Sequence, residues 1–201
     1  MKLYFSPGAC SLSPHIVLVE SGLPFELEGV DLRVKKTANG ADYWQINPKG
    51  YVPAIVLDDG QVLTEGPAIV QYIADLVPHK RLAPPAGTME RYRLQEFLNF
   101  ITSELHKGFS PLFNPKLPED WRIVVKELLG RRIGVVAKQL EGKAYLMGDT
   151  FTVADAYLFT ILRWTKSAHI DLAQWPGLQD YMDRVAARPA VHESLRVEQL
   201  L

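Results

Sequence analysis

The chain has 201 residues, which fits one large domain or two small ones, and its 47% hydrophobic and 22% charged residues are typical of a globular protein. Its 22 basic and 23 acidic residues give a formal net charge of −1, which argues against a nucleic-acid or anionic-membrane partner. One cysteine excludes an internal disulfide, and with five histidines it provides few ligands for a metal site. Because the first residues contain no long apolar run, we expect a soluble, cytoplasmic protein without a membrane span.

Short apolar runs alternate with turn residues in the first part of the chain. Strands are predicted at 3–5, 25–30, 54–57 and 61–64. The last two flank Asp59-Gly60, a strong hairpin signal. Helices are predicted from Ser13-Pro14 to Ser21 and after Gly66-Pro67, since proline is favoured in a first helical turn. This order predicts a small α/β domain with a mixed sheet.

The pattern changes at a proline-rich segment, residues 77–87, which lacks periodicity and predicts a linker. Beyond it the apolar spacing is helical over about 94–108, 121–140, 153–168 and 178–187. Thr152-Val153-Ala154-Asp155 fits a capping box, to which we assign a structural role only. The chain is therefore divided into a domain at 1–80 and an all-helical domain at 88–201.

Cys10 follows the first predicted strand and precedes the first predicted helix. A thiol at a helix N-terminus lies near the positive end of the helix dipole and near free N–H groups, which favour the thiolate. A lone cysteine is also commonly a small buried hydrophobe, and both interpretations stand. Because Ser13 occupies the position where a second thiol would be expected, intramolecular disulfide chemistry is excluded.

Two further segments of the first domain carry candidate ligand groups. Pro53 lacks a backbone donor, so it marks a sheet edge or a cis bond, and the backbone of Val52 either pairs with a peptide-like ligand or is a plain turn. Glu65 and Gly66 join a strand to a helix. The carboxylate either interacts with the helix dipole alone or binds the ammonium group of a zwitterionic ligand.

In the helical part, Asn99, Ser103 and His106 recur at spacings of four and three. At ~100° per residue they share one face of a uniform α-helix. This face is either the wall of a cleft or an ordinary exposed surface. A histidine near a thiol is able to act as acid, base or hydrogen-bond donor at neutral pH.

Taken in order, these motifs resemble those of the glutathione S-transferases, over essentially the whole chain. The matching segments are Cys10-Ser11-Leu12-Ser13, Val52-Pro53-Ala54, Thr64-Glu65-Gly66 and Phe151-Thr152-Val153-Ala154-Asp155. The stretches 7–15 and 103–107 are similar to the bacterial beta class. The resemblance implies an α/β thioredoxin-like N-terminal domain, an all-α C-terminal helical domain and a homodimer, with some ligand contacts crossing the dimer interface.

The resemblance also implies a glutathione site. Pro53 would be the cis-proline, and the backbone of Val52 would pair with the cysteinyl part of glutathione. Glu65 and Gly66 would hold the γ-glutamyl group, with only a backbone N–H from Gly66 where the family often has serine. The remaining expected glutathione-binding residues are Cys10, Lys35, Tyr51, Asn99, Ser103, Glu104, His106 and Lys107. Cys10 and His106 are the catalytic candidates.

The reaction implied is transfer of the glutathione thiolate to a hydrophobic electrophile such as a halogenated aromatic compound, with glutathione as co-substrate and no cofactor or metal. Two alternatives stay open. In the first, Cys10 forms a mixed disulfide with glutathione and supports thiol–disulfide exchange or reductive dehalogenation. In the second, the protein binds hydrophobic compounds without turnover. Unranked candidates for the electrophile pocket are Phe109, Phe113, Trp164 and His169.

Overall fold

The helices and strands follow one another in two groups along the chain. The computed structural model describes residues 1–201. The first group is β1 (Lys2–Phe5), α1 (Leu12–Ser21), β2 (Glu26–Asp31), β3 (Lys36–Thr37), β4 (Ala54–Val56), β5 (Val62–Thr64) and α2 (Gly66–Leu76). The second is α3 (Met89–Phe100), a π-helical segment (Ile101–His106), α4 (Lys107–Phe109), α5 (Glu119–Leu140), α6 (Val153–Leu162), α7 (Trp164–Ala168), α8 (Leu178–Ala186) and α9 (Pro189–Val197). None of these helices has the length and apolar character needed to cross a membrane.

A five-stranded mixed sheet forms the centre of the first unit, in the order β3-β2-β1-β4-β5. Strands β1 and β2 are parallel, and the other neighbouring pairs are antiparallel. Leu3 and Ile55 face each other across β1 and β4 and are fully buried, as are Ile16 of α1 and Ile69 of α2. Burial of these side chains against the sheet supplies the apolar core that a half-buried sheet requires. The mixed α/β fold and the hairpin at Asp59-Gly60 are confirmed.

The C-terminal residues group with the sheet and not with the helices that precede them. The two compact units are residues 1–83 with 187–201, and residues 84–186. Helix α9 packs against α1, and Arg188 binds both carboxylate oxygens of Glu20 at 2.7 and 3.1 Å. The sequence-based division placed 187–201 in the helical domain. The pattern of α9 shows that it has an apolar face, and an apolar face does not specify which unit it covers.

The second unit is built around α6, all ten residues of which are buried. Asp155 accepts hydrogen bonds from the backbone N–H groups of Leu146 and Thr152 and from the hydroxyl of Tyr181, at 2.8, 2.8 and 3.1 Å. Burial raises the pKa of Asp155, against the opposite effect of these hydrogen bonds. The predicted capping box is confirmed.

Several elements were not predicted or differ from prediction. Strand β3 has two residues, too few for a visible alternation, and α9 was absent from the predicted helices. The helix predicted over 153–168 is two helices separated at Arg163. The helix predicted to end near Gly108 has the expected extent, but residues 101–106 are π-helical.

Candidate active site

Cys10 lies in the loop between β1 and α1, where the sequence places it, and its side chain is half-buried. The loop is closed by Ser11, whose hydroxyl donates to the carbonyl of Ser6 and accepts from its N–H, at 3.2 and 3.1 Å. The Cys10 thiol donates to the carbonyl oxygen of Val52 at 3.2 Å. Cys10 as a residue is not fully buried, and its thiol adjoins the Val52 backbone, which argues against its interpretation as a buried hydrophobe.

The peptide bond between Val52 and Pro53 is cis, as the resemblance implied. The carbonyl oxygen of Tyr51 accepts two hydrogen bonds, from the Tyr43 hydroxyl at 2.9 Å and from the Asn47 side-chain amide at 2.6 Å. Burial raises the pKa of Tyr43 to about 12, so its hydroxyl stays a donor throughout the physiological range. The backbone beside Cys10 is thus held in place by buried side chains.

Lys35 and Tyr51, two of the expected glutathione-binding residues, lie close together. The Lys35 ammonium donates to the carbonyl of Gly50 at 2.8 Å and lies over the rings of Trp44 and Tyr51, 5.7 and 5.5 Å from their centroids. Gly50 has a φ of +68°, and a Cβ added there would lie 2.5 Å from the ring of Trp44. Trp44 was not predicted, because its contact depends on the approach of Gly50 and not on local spacing.

Glu65 precedes α2 with a φ of 69°, a left-handed conformation that is uncommon for a residue with a side chain. Its carboxylate accepts a hydrogen bond from the Lys49 ammonium at 2.7 Å, and Lys49 also binds the Thr64 hydroxyl at 2.9 Å. Glu65 occupies the N-cap of α2, at the junction between strand and helix. The sequence analysis did not identify Lys49 as a site residue, although an exposed carboxylate such as that of Glu65 commonly attracts a nearby cation.

In the second unit, His106 lies in a cluster of aromatic rings. Its Nδ1 atom shares a hydrogen bond of 2.7 Å with the Tyr157 hydroxyl, and its ring packs edge-on against Trp164 with centroids 5.0 Å apart. Phe109 and Phe113 contact Trp164 at 5.9 and 5.3 Å. Three of the four candidates for the electrophile pocket thus share one cluster. The fourth, His169, is the C-cap of α7.

The π-helical segment separates residues that we expected on one face. A π-helix turns less per residue than an α-helix, so the one-face prediction from uniform α geometry is wrong for His106. Thr102 and His106 both contact the Tyr157 hydroxyl, whereas Ser103 is exposed and donates to the carbonyl of Asn99 at 3.1 Å. π-Helical insertions occur frequently at functional sites.

Glu104 and Lys107 have separate surroundings. Glu104 pairs with Arg132 of α5 at 2.6 Å, whereas Lys107 is exposed. A cavity of about 260 Å³ lies beside this ion pair, and its lining includes Ser103, Glu104, Pro111, Leu128 and Arg132. No group of three or more His, Cys, Asp or Glu side chains is arranged to hold a metal ion.

Comparison with known proteins covers both units. The N-terminal domain model of the glutathione S-transferases matches residues 8–76, and their C-terminal domain model matches residues 100–189. The glutathione S-transferase GstA of Escherichia coli O157:H7 is 48% identical over 200 residues, which cover 100% of each chain.

Three solved structures are similar along their whole length, each pair covering 100% of both chains. A ternary complex of BphK, a bacterial glutathione S-transferase, has 60% sequence identity and a TM-score of 0.98. A sphingomonad glutathione S-transferase complexed with glutathione has 46% identity, and a bacterial beta-class enzyme from Sphingomonas chungbukensis has 45%, both with a TM-score of 0.96. The chain therefore belongs to the glutathione S-transferase family, in its bacterial beta class, and is a glutathione transferase.

Proposed function

We propose that the first unit binds glutathione along the surface formed by Cys10, Val52 and Glu65. The observation that carries this proposal is the contact of the Cys10 thiol with the Val52 carbonyl oxygen, because it brings the chain's one thiol to a backbone segment just outside the sheet, where an extended peptide is able to pair. The glutathione in the similar sphingomonad enzyme supports the choice of ligand. Glutathione is the co-substrate, and no further cofactor takes part in the proposed reaction.

Each part of glutathione has a complementary group in this unit. The γ-glutamyl ammonium replaces Lys49 at the Glu65 carboxylate. This exchange costs little free energy, because the exposed ion pair between Lys49 and Glu65 contributes at most about 1 kcal/mol. The γ-glutamyl carboxylate accepts from N–H groups at the start of α2, including that of Gly66. The cysteinyl backbone pairs with Val52, and Lys35 offers a cation to the remaining carboxylate.

The chemical step requires a thiolate. An unperturbed thiol has a pKa of ~8.5, so lowering it by about two units requires ~2.7 kcal/mol of differential stabilisation. The N-terminus of α1 and the Cys10 thiol, acting as a hydrogen-bond donor, contribute to this stabilisation. The thiolate then attacks an electrophilic carbon. A carbon–sulfur bond forms, and in a halogenated aromatic substrate the carbon–halogen bond breaks and halide leaves.

We assign the electrophile to the aromatic cluster around Trp164, which combines ring surface with the polar His106–Tyr157 pair. Such a surface suits a hydrophobic aromatic substrate. We propose His106 as a hydrogen-bond donor or proton carrier for that substrate. Asn99, Ser103, Glu104 and Lys107 are proposed as further glutathione contacts, some of them made across a homodimer interface. A cytoplasmic location is proposed on the same family grounds.

The proposal is tested by the initial rate of conjugation of glutathione to an activated aryl halide, measured with wild type and Cys10→Ala. We expect clear acceleration by wild type and retention of most of that rate by Cys10→Ala, because Cys10 assists the glutathione thiolate without replacing it as nucleophile. Disulfide exchange measured on the same two proteins separates the mixed-disulfide route. A wild type that neither binds glutathione nor accelerates conjugation contradicts the proposal.

A further inference from the structure

A lysine ammonium in the first unit is bordered by a carbonyl oxygen and two aromatic rings. The Lys35 ammonium donates to the carbonyl of Gly50 at 2.8 Å, and it lies 5.7 and 5.5 Å from the ring centroids of Trp44 and Tyr51. An aromatic face attracts a cation electrostatically, and tryptophan attracts it most strongly of the aromatic side chains. None of these three groups is a carboxylate, so they orient the ammonium without forming an ion pair with it.

The second lysine of this surface has different surroundings. The Lys49 ammonium already pairs with the Glu65 carboxylate at 2.7 Å, and both side chains are more than half exposed. An exposed pair of this kind is held weakly. Lys35 is therefore the lysine whose charge is both oriented and available to an anionic ligand.

The backbone on each side of the aromatic contact is itself held by hydrogen bonds. Lys35 has a φ of 55°, uncommon for a residue with a side chain, and its N–H donates to the carbonyl of Asp31 at 2.8 Å. Its carbonyl accepts from the N–H of Tyr43, also at 2.8 Å. Trp44 follows in a 3₁₀-helical turn, and its N–H donates to the Asp42 carboxylate at 3.1 Å. The ring and the ammonium consequently meet through ordered backbone.

Gly50 permits the close approach of the Trp44 ring. Its φ is +68°, and a Cβ added there would lie 2.5 Å from that ring, so a larger residue would displace it. The carbonyl of the same glycine accepts from the Lys35 ammonium. We call Trp44, Gly50 and Tyr51 the Lys35 clamp, because the three groups restrict one side chain together.

We propose that Trp44 is a positioning residue for the glutathione site, holding the Lys35 ammonium where it pairs with the glycyl carboxylate of glutathione. This proposal rests on the proposed glutathione site of the first unit. A lysine has a long flexible stem, and a lysine that becomes ordered only on binding loses rotamer freedom, which weakens the affinity. The Lys35 clamp orders the stem before the ligand arrives, and such preorganisation strengthens the affinity.

The position of the glycyl carboxylate determines which kinetic constant responds. This carboxylate is separated from the reacting thiol by the glycine residue, so its ion pair stabilises the bound ground state and the transition state alike. Loss of such an interaction raises KM and leaves kcat unchanged. Esterification of the glycyl carboxylate removes the anion that Lys35 binds, so the ester gains nothing from Trp44.

The kinetic test compares glutathione with its glycyl ethyl ester in the conjugation assay. In wild type we expect KM for the ester to exceed that for glutathione about tenfold, the size of one charge-assisted hydrogen bond. In Trp44→Leu we expect KM for glutathione to rise about fivefold, the size of a cation–π contact, with kcat within about twofold. KM for the ester stays within about twofold of its wild-type value. The ester-to-glutathione ratio of KM therefore falls to about two.

Two further variants separate the aromatic contact from a general disturbance. Trp44→Phe keeps an aromatic face and recovers part of the wild-type ratio. Val34→Ala, the control, removes an exposed apolar side chain beside Lys35 that is outside the Lys35 clamp, and it keeps the wild-type ratio. A ratio that is the same in wild type and Trp44→Leu, or an equal change in the control, overturns the proposal.

A second measurement needs no glutathione. Protons above the face of an aromatic ring are shifted upfield by its ring current, so the Lys35 ε-methylene protons of wild type should resonate upfield of those of other lysines. In Trp44→Leu most of this shift should be lost, and an equal shift in both proteins overturns the proposal. A wild type that does not bind glutathione contradicts the proposed function and this proposal with it, whereas binding with an unchanged ester-to-glutathione ratio in Trp44→Leu overturns the positioning role alone.

Discussion

The carbonyl oxygens of Tyr51 and Val52 accept hydrogen bonds from three side chains, of which Tyr43 and Asn47 are close in sequence and Cys10 is distant. Sequence patterns identified Cys10, Val52 and Pro53 because motifs are local. They did not identify Tyr43 or Trp44, whose roles arise only once the chain between β3 and β4 folds back on itself. The same reasoning applies to Lys49, which meets Glu65 through the turn of the chain and not through sequence spacing.

Tyr43→Phe tests this arrangement at one residue. Near neutral pH we expect the free energy of unfolding to fall by about 1 kcal/mol, the net contribution of one neutral hydrogen bond. The folded-state pKa of about 12 lies above the ordinary 10.0, so the contribution of the hydroxyl is complete below pH 10 and is lost as the pH rises through 12. Urea unfolding of wild type and Tyr43→Phe at neutral and alkaline pH measures this difference in the free energy of unfolding. A difference that does not shrink at alkaline pH contradicts this account.

At the scale of elements, regular apolar periodicity predicted the helices, but it did not predict where a helix departs from α-helical geometry. Helical apolar spacing was predicted over about 94–108, and the apolar stripe in that range, Leu94, Leu98, Ile101 and Leu105, is buried. The π-helical segment lies inside that stripe and leaves the same residues buried, so hydrophobicity does not reveal it. It does reorient the polar residues between them, which explains why His106 faces Tyr157 and Ser103 faces solvent.

The second prediction concerns Asp155, at the start of α6. Asp155→Ala removes one acceptor from three buried donors, those of Leu146, Thr152 and Tyr181. Leaving such donors unpaired costs about 3 kcal/mol or more in the free energy of unfolding. Asp149→Ala, an exposed aspartate close in sequence, is the matched control and is expected to change stability by less than about 0.5 kcal/mol. Equal unfolding midpoints for the two variants would refute the assigned structural role.

At the scale of the whole molecule, the sequence predicted two units and their fold classes, because periodicity and motif order extend over the entire chain. It did not assign α9 to the sheet-containing unit. That assignment depends on the long-range Arg188–Glu20 and Glu198–His15 contacts, which have no local signature. The C-cap of α9, Glu198, also accepts a hydrogen bond from the Gly8 N–H in the Cys10 loop.

The proposed homodimer is also a property of the whole molecule. Tyr92 on α3 and Leu128 and Val135 on α5 are each more than 40% exposed, as expected of apolar residues that a second copy covers. Sedimentation equilibrium at micromolar concentration should therefore give the mass of two chains. Charged replacement at Leu128 and Val135 together should shift the protein towards monomer. A monomeric wild type contradicts the proposal.

The central claim, that glutathione occupies the surface beside Cys10, is tested most directly by protection of the thiol. Because Cys10 is the chain's one cysteine, alkylation by iodoacetamide gives a single adduct that mass spectrometry follows over time. S-Methylglutathione serves as the ligand, since it has no free thiol to consume the reagent. The account predicts that the alkylation rate falls along a saturation curve, and that Glu65→Gln requires about tenfold more ligand for the same protection. An alkylation rate that stays constant up to millimolar S-methylglutathione would contradict it.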